Sequence, residues 1–333
     1  MSVFLESEKL SQEKFRRESP HFSEPARQDG VYKGKPRPFC LPVSHAEENL
    51  LPGIRTTSVE WFRTHEIKWH DGQDGKPSNH LCDSQVCGVN FLFPFADRPD
   101  PLELLLKPAF PDLKRMLPIE DGKFVAFEWI GAKNYLGERM RPGSRRTRGA
   151  NFTSADAAMA LECEDGKKHI VLVEWKYTES YHGTPLKTSE RGTDRTAIYR
   201  PLFDQADCPI NKELLPSFES MFYEPFYQFM RQQFLAHEME KARELDADIV
   251  SLLHIAPAHN EDFRTVTSSA LKDLGDTATS VWKHLVRQSD RFQSTSTERL
   301  FAPLLKTPPT GMDAWADYLA GRYPWVTTRT EPA

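Results

Sequence analysis

The segment HIVLVEWKYTESY, residues 169–181, brings an acid and a base into what has the pattern of a buried strand. Aliphatic residues open the segment, and Glu174 and Lys176 then follow two positions apart. Because alternate residues of a strand share one face of the sheet, these two side chains point to the same side. Charged groups are almost never fully buried unless they are paired. The pattern therefore indicates a site that uses an acid and a base side by side.

A third ionisable residue, Asp156, lies on the preceding predicted strand, and Asp165-Gly166 between the two strands favours a tight hairpin. If Asp156 lies opposite Glu174 or Lys176, all three side chains share one face within cross-strand reach. A shift of one residue would turn Asp156 to the opposite face. The sequence leaves this register open, and the convergence of the three residues is an expectation.

Two carboxylates beside an ammonium group suit a hard divalent cation, Mg²⁺ or alternatively Mn²⁺. Such an ion would offset the repulsion between Asp156 and Glu174, acidify a water molecule and stabilise the charge of a phosphoryl transition state. The backbone carbonyl of Trp175 would add a ligand. Lys176 would hold the attacking water, help to deprotonate it or counter the developing charge, and the sequence does not choose among these. The expected chemistry is phosphodiester hydrolysis.

The elements that must position these residues are predicted from apolar periodicity and turn residues. Helices are expected over 83–96, over 100–117 with a kink or break at Pro108, and over 224–245. Strands are expected over 122–131, 156–164, 169–176 and 246–257. This order of helix, three strands, helix and strand predicts an α/β fold with a mixed sheet covered on both faces.

The domain organisation follows from the same pattern. Residues 1–43 are rich in proline and polar groups and are expected to form an irregular arm with one short helix. Residues 44–333 are expected to form a single domain, with a core over about 100–256 and a helical extension over 260–333.

The three residues and their surroundings resemble the signature of the PD-(D/E)XK nuclease superfamily, which has the restriction-endonuclease-like fold. The resemblance rests on Asp156 followed by Glu174-Trp175-Lys176 after an aliphatic run. It extends to a bacterial branch of restriction-endonuclease-like proteins through DSQVCGVNFLFPF, FYQFMRQQFLA and YLAGRYPW, and so spans roughly residues 80–325. Ala155 stands where the signature has a proline. The resemblance implies a metal-dependent nuclease with Asp156, Glu174 and Lys176 at the active site.

Further acids are candidates for the same site. Glu128 lies among apolar residues in VAFEWIG, and a buried acid needs a partner. It would serve as an additional metal ligand, or would pair with an arginine or with Lys176. Glu103 on the preceding helix competes for the metal role. Glu179 is either a partner of Lys176 or an exposed acid at the end of the strand.

Nucleic-acid contacts are expected from an arginine-rich stretch before Asp156 and from one face of the helix over 224–245. Arginine binds phosphate groups bidentately, and residues four apart on a helix share a face. The candidates are Arg141, Arg145, Arg146, Arg148, Tyr227, Gln228 and Arg231. The alternative is that the stretch is a solvated loop and the helix face is merely polar. Ser84, Gln85 and Asn90 are expected to cap a helix, with a position in the site as the alternative.

Composition limits the remaining function classes. The 333-residue chain has a net charge of −5, so any polyanion must bind to a local basic patch. Five irregularly spaced cysteines, no apolar leader and no long apolar run favour a cytoplasmic protein that does not bind membranes. DNA is the expected partner, RNA is left open, and two-strand cleavage would favour a homodimer. The rival hypothesis is a catalytically silent nucleic-acid-binding or scaffold protein that retains the nuclease fold.

Overall fold

The computed structural model of the chain describes residues 2–138, 145–189 and 192–327. The α-helices are α1 (Val3–Glu18), α2 (Arg55–Thr64), α3 (Ser84–Leu92), α4 (Pro99–Leu106), α5 (Thr196–Phe203), α6 (Phe226–Ala242), α7 (Ala278–Leu285), α8 (Thr297–Lys306) and α9 (Asp313–Arg322). The strands are β1 (Gly30–Tyr32), β2 (Lys35–Arg37), β3 (Leu113–Leu117), β4 (Ala126–Trp129), β5 (Ala155–Cys163), β6 (Lys168–Trp175), β7 (Ile249–Ala256) and β8 (Phe292–Ser296). None of the described helices combines the length and apolar character needed to cross a membrane.

A mixed sheet forms the centre of the molecule, with strand order β3-β5-β6-β7-β8 and with β4 also paired to β5. The pairs β3/β5, β4/β5 and β5/β6 are antiparallel. The pairs β6/β7 and β7/β8 are parallel, and the connection from β6 to β7 carries α6. The predicted α/β fold with a mixed sheet is confirmed.

Strand β6 is buried on both faces, which explains its unbroken aliphatic run. Val171 and Val173 pack on the side that holds α3, α4, α8 and α9. Ile170 and Leu172 pack on the other side, against α6 and α7. Since Glu174 continues the second set, it faces α6.

Two segments differ from the sequence prediction. The helix expected over 100–117 ends at Leu106, before Pro108, and residues 113–117 form the edge strand β3. The expected helical extension contains β8, which pairs with β7. Both predictions were wrong because these short strands carry little apolar periodicity of their own, and their conformation depends on the neighbouring strand.

The expectation of an irregular arm is wrong for residues 3–18, which form α1. The side chains of Glu8 and Gln12 are buried. Tyr177, just after β6, donates its hydroxyl hydrogen to Glu8, and Trp325 donates its indole N–H to the same carboxylate at 3.0 Å. Gln12 donates to the carbonyl of Arg322 at 3.0 Å. Helix α1 therefore joins the C-terminal residues directly beneath the end of β6.

Candidate active site

The pairing of β5 with β6 decides whether Asp156 can meet Glu174 and Lys176. Ala157 lies opposite Val173, and extending this register by one residue sets Asp156 against Glu174. This is one of the two registers that bring the three side chains to a single face. The turn between the strands uses the predicted Asp-Gly pair, with the glycine at φ +82°.

Asp156, Glu174 and Lys176 line one pocket of about 390 Å³. Glu174 is 3% exposed and Lys176 is 5% exposed, so both lie deep in it. Asp156 accepts a hydrogen bond from the backbone N–H of Trp175 at 2.7 Å. The walls come from His70, from Ser84 and Gln85 of α3, from residues 149–154, from Glu179 and Tyr181 beyond β6, and from Gln228, Arg231 and Gln232 of α6.

Glu174 is held by two side chains at once. One of its carboxylate oxygens forms an ion pair with the ammonium group of Lys176. The other accepts a hydrogen bond from the side-chain amide of Gln232, which also donates to the carbonyl of Ser154 at 3.2 Å. Among the described residues, the buried amide oxygen of Gln232 has no hydrogen-bond partner. Gln232 therefore fixes Glu174 and keeps one acceptor for a water molecule or ligand.

The electrostatics of the pocket are dominated by buried charges. Burial, and then the negative charge of Glu174, raise the pKa of Asp156 well above its ordinary value. Burial by itself would lower the pKa of Lys176, but the surrounding acidic groups, Glu174 first among them, together outweigh it and raise that pKa overall. Lys176 is consequently an ammonium group at neutral pH and places a positive charge in the pocket.

Glu128 lies close to this pocket without lining it. It is 1% exposed, and its carboxylate accepts hydrogen bonds from Gln85 at 2.7 Å and from Ser154 at 2.6 Å. Its charge contributes to the raised pKa of Asp156. Its backbone has φ +48°, a conformation that non-glycine residues seldom adopt and that occurs often at functional sites. The competing acid, Glu103, instead accepts from a backbone N–H of β3.

Two arginines of the arginine-rich stretch, Arg146 and Arg148, are directed toward the protein itself. Arg146 donates to the carbonyl oxygens of Ile130 at 2.9 Å and Gly131 at 2.6 Å. Arg148 forms an ion pair with Glu120 at 2.6 Å and also donates to backbone carbonyls of β4. These hydrogen bonds stabilise β4, the strand that carries Glu128. The donors are therefore already used within the protein in the absence of a phosphate ligand.

Of the other two candidate arginines in this stretch, Arg141 lies outside the described residues. The side chain of Arg145 is 88% exposed, with Glu66 at 3.9 Å. Arg145, Arg146 and Arg148 do not line the pocket. A phosphate-binding role for the stretch stays a prediction, and Arg145 is the described member whose position leaves it most accessible.

Helix α6 contributes more directly. Gln228 and Arg231 line the pocket, whereas Tyr227 is buried beneath them at 6% exposure. Arg231 donates its Nε–H to the hydroxyl of Thr153 at 2.8 Å, and its guanidinium lies 5.2 Å from the centre of the Tyr227 ring. These contacts hold the guanidinium beside the pocket. Tyr227 supports the arginine and does not itself reach the site.

The match to a family model covers nearly the whole chain, from residue 8 to residue 324, and the family is described as restriction endonuclease associating with ARP. The chain belongs to this restriction endonuclease family. No curated protein and no solved structure gives a significant match. The restriction-endonuclease-like resemblance is thereby confirmed at the level of the family, and a nuclease-like function is indicated.

In this member of the restriction endonuclease family, the carboxylates of the pocket fit a magnesium ion. The described residues contain no cluster of three or more histidine, cysteine, aspartate or glutamate residues arranged to hold a metal. Mg²⁺ does not need three such protein ligands, because it keeps several waters and is commonly held by one or two carboxylates together with substrate phosphates. Asp156 and Glu174 supply two such carboxylates. Burial, and after it the negative charge of Glu174, raise the pKa of Asp156, and a cation would offset the repulsion between the two acids.

Several pocket residues were not among the candidates from the sequence. They are His70, Tyr181 and the segment 149–154. The segment precedes Asp156 directly, so its position alone could have suggested it. Ser84 and Gln85 line the pocket, whereas Asp83 caps α3 and Asn90 bonds to the backbone around Asn49 and Leu51. Glu179, which the sequence left open, lines the pocket and accepts from the backbone N–H of Tyr177 at 2.7 Å.

Proposed function

We propose that the chain is a metal-dependent nuclease that hydrolyses phosphodiester bonds, with DNA as the expected substrate. The observation that carries the proposal is the convergence of Asp156, Glu174 and Lys176 in one pocket at the ends of two paired strands. Family membership supports it, because the chain belongs to a restriction endonuclease family across residues 8–324.

Asp156 and Glu174 would hold the Mg²⁺ ion, with the backbone carbonyl of Trp175 as a further donor and Glu128 as an accessory acid. When bound, the ion supplies charge neutralisation at the phosphate and a more acidic water. Mn²⁺ would substitute, since it accepts the same oxygen donors. Gln232 keeps the Glu174 carboxylate in one orientation through its amide hydrogen bond.

Lys176 would orient the attacking water and counter the negative charge that develops on the phosphoryl oxygens. Its raised pKa favours this role over proton abstraction, because the ammonium form persists at neutral pH. Arg231, held by Thr153, would bind a non-bridging phosphate oxygen next to the scissile bond. Preorganised charges of this kind commonly supply the largest part of catalysis.

The test is cleavage of plasmid and linear DNA in Mg²⁺ or Mn²⁺. Lys176→Ala and Asp156→Ala should each lower the rate by at least about a hundredfold, the scale found when one stabilising group is removed from a preorganised site. Lys167→Ala is the matched control, because Lys167 lies in the turn of the same hairpin at 54% side-chain exposure. Equal activity in the wild type and the two site variants would contradict the proposal.

Calorimetry separates an active nuclease from a silent scaffold of the same fold. The wild type should bind Mg²⁺ or Mn²⁺ at one site that disappears in Asp156→Asn, because the amide removes an anionic ligand. Absence of a saturable site in the wild type, together with absence of cleavage, would favour the scaffold.

A further inference from the structure

Two aromatic side chains line the candidate active site without packing against another described aromatic ring. Phe152 and Tyr181 both line the pocket with Asp156, Glu174 and Lys176, and both are half-buried. Within the described residues, neither ring contacts another aromatic ring or joins the hydrophobic clusters that pack on the sheet. Tyr181 is held instead through its hydroxyl, which donates to the amide oxygen of Gln228 at 3.3 Å.

Aromatic rings that line a pocket beside a phosphate-cleaving site are suited to stack on nucleobases. In a paired duplex, each base is already stacked between its neighbours, and its faces are covered. A base can stack on a protein ring only if it is unpaired, splayed out or at an end. Phe152 and Tyr181 therefore have a use in substrate binding only if the nucleotide at the pocket is unpaired.

The size and depth of the pocket lead to the same conclusion. Glu174 and Lys176 are at most 5% exposed, so the scissile phosphate must enter the pocket to reach them. The volume of about 390 Å³ is near the lower end of the range of small-ligand sites. The pocket has room for about one nucleotide, whereas a duplex is too wide to enter it.

The basic groups near the pocket also fit a single strand better than a duplex. Binding of a duplex relies on several lysine and arginine contacts along the phosphate backbone. Arg146 and Arg148 are instead engaged with carbonyls and with Glu120, and Arg231 lines the pocket itself. Among the described residues, Arg231 is the arginine that lines the pocket together with Phe152 and Tyr181, and single-strand sites likewise combine positive charge with aromatic rings.

We propose that the pocket binds an unpaired nucleotide, with its base on Phe152 and Tyr181, so that the enzyme cleaves single-stranded or locally unpaired nucleic acid in preference to a paired duplex. This inference rests on the proposed nuclease function, of which it specifies the substrate class. It applies equally to DNA and RNA.

The first experiment compares three substrates in Mg²⁺ with the wild-type protein. They are an oligodeoxynucleotide, the same strand in a blunt duplex, and that duplex with an unpaired centre. The single strand and the unpaired centre should be cleaved at least about tenfold faster than the paired duplex, since stacking is worth about that factor per base. Cleavage of the paired duplex at the same rate or faster would overturn the inference while leaving the nuclease function intact.

The second experiment tests the rings. Phe152→Leu should lower kcat/KM on the single strand about tenfold, mainly through KM, and Phe152→Trp should restore it because the indole also stacks. Phe39→Leu is the matched control, since Phe39 is likewise half-buried and does not line the pocket. Circular dichroism checks that each variant is folded. Unchanged kcat/KM in the double variant Phe152→Leu/Tyr181→Leu would overturn the stacking role.

The third experiment measures binding without cleavage. A single strand that contains 2-aminopurine is titrated with wild-type protein in Ca²⁺, and stacking of the base should quench its fluorescence. The quench should be lost in Phe152→Leu and should be absent with the paired duplex. If no substrate is cleaved at all, the nuclease function fails, and this titration still decides the inference: a quench that is equal for single strand and duplex, or no quench, rejects it.

Discussion

At the scale of single residues, the candidate site depends on the two side chains that bind the Glu174 carboxylate. Glu174 is paired with Lys176 on one side and hydrogen-bonded to Gln232 on the other. Neither contact would be stable in isolation, because a buried acid or base without a partner is costly. Together they hold an acid and a base in adjacent, fully buried positions. Gln232 is thus a positioning residue for Glu174.

The contribution of Gln232 can be measured against its neighbour. Gln232→Leu should lower kcat about tenfold or more, because a hydrogen bond to a charged group typically contributes about 1.5–3 kcal/mol. The concentration of Mg²⁺ that gives half-maximal activity should also rise, since Glu174 loses its fixed orientation. A purely structural role would leave that concentration unchanged.

Gln233→Leu is the matched control for this prediction. Gln233 is the next residue of α6 and is 1% exposed, but it lines a different cavity together with His237 and Arg287. The same substitution there should leave both kcat and the Mg²⁺ dependence near wild-type values. Equal losses in the two variants would mean that the effect comes from packing of α6.

Prediction from the sequence was strongest for residues whose neighbours along the chain define their role. Strand alternation predicted that Asp156, Glu174 and Lys176 would share a face if the register allowed it, and the resemblance to the PD-(D/E)XK signature singled them out; their catalytic roles stay predictions. Arg146 and Arg148 could not be assigned in this way, since an arginine pattern does not reveal whether its donors meet phosphate or backbone carbonyls. Phe152 and Tyr181 carry no local signal that separates a free ring from a packed one.

At the scale of elements, the β5–β6 hairpin sets the register on which the site depends. Its turn contains Gly166 at φ +82°, a conformation that costs a residue with a Cβ about 1 kcal/mol or more. A change at this turn acts on the conformation of the backbone alone, because a Cβ built at Gly166 meets no atom within 4 Å.

Gly166→Ala should therefore lower the free energy of unfolding by about 1 kcal/mol, measured by urea denaturation. Gly53→Ala is the control, because a Cβ there also meets nothing within 4 Å and the φ of Gly53 is not positive. It should be neutral or slightly stabilising, since alanine reduces the entropy of the unfolded chain. Similar destabilisation in both variants would contradict the role given to the turn.

The elements that were predicted well are those whose own residues determine their conformation. Strands β5, β6 and β7 carry long apolar runs, and α6 has recurrent apolar positions. Strand β8, of sequence FQSTS, has one buried residue, Phe292. It forms a strand because it pairs in parallel with β7. Such a dependence on a neighbour remote in the chain is not visible in local sequence.

At the scale of the whole molecule, burial on both faces of the sheet affects the histidines of its central strands. His169 on β6 is 6% exposed and hydrogen-bonds through Nε2 to the hydroxyl of Ser251 at 2.7 Å. Burial lowers its pKa to about 4. His254 on β7 is in the same situation, with a pKa lowered by burial to about 3. The folded protein thus keeps both imidazoles neutral in mildly acidic solution.

Wild-type stability should fall with acid more steeply than that of His169→Gln. The unfolded chain protonates this histidine near pH 6.5, whereas the folded chain does so only near pH 4, so the unfolded state binds more protons in between. The contribution of His169 is therefore present above pH 6.5 and is lost as the pH falls toward 4, by roughly 2–3 kcal/mol. Thermal unfolding at several pH values checks this.

His284→Gln is the control for the pH series. His284 lies on α7 and is exposed, so its replacement should leave the acid dependence of the melting temperature as in the wild type. If His169→Gln showed the same slope as the wild type between pH 6.5 and 4, burial of this imidazole would not be a source of acid sensitivity.

The contact between Tyr177 and Glu8 also bears on how the protein can be prepared. Glu8, near one end of the chain, accepts hydrogen bonds from the hydroxyl of Tyr177, which follows Lys176, and from the indole N–H of Trp325 near the other end. Removing the first 43 residues, or attaching a bulky purification tag close to Ser2, would thus disturb the contacts at the end of β6, next to Lys176. Lack of activity in a shortened preparation would then reflect the loss of these supporting contacts and not the lack of activity in the full chain.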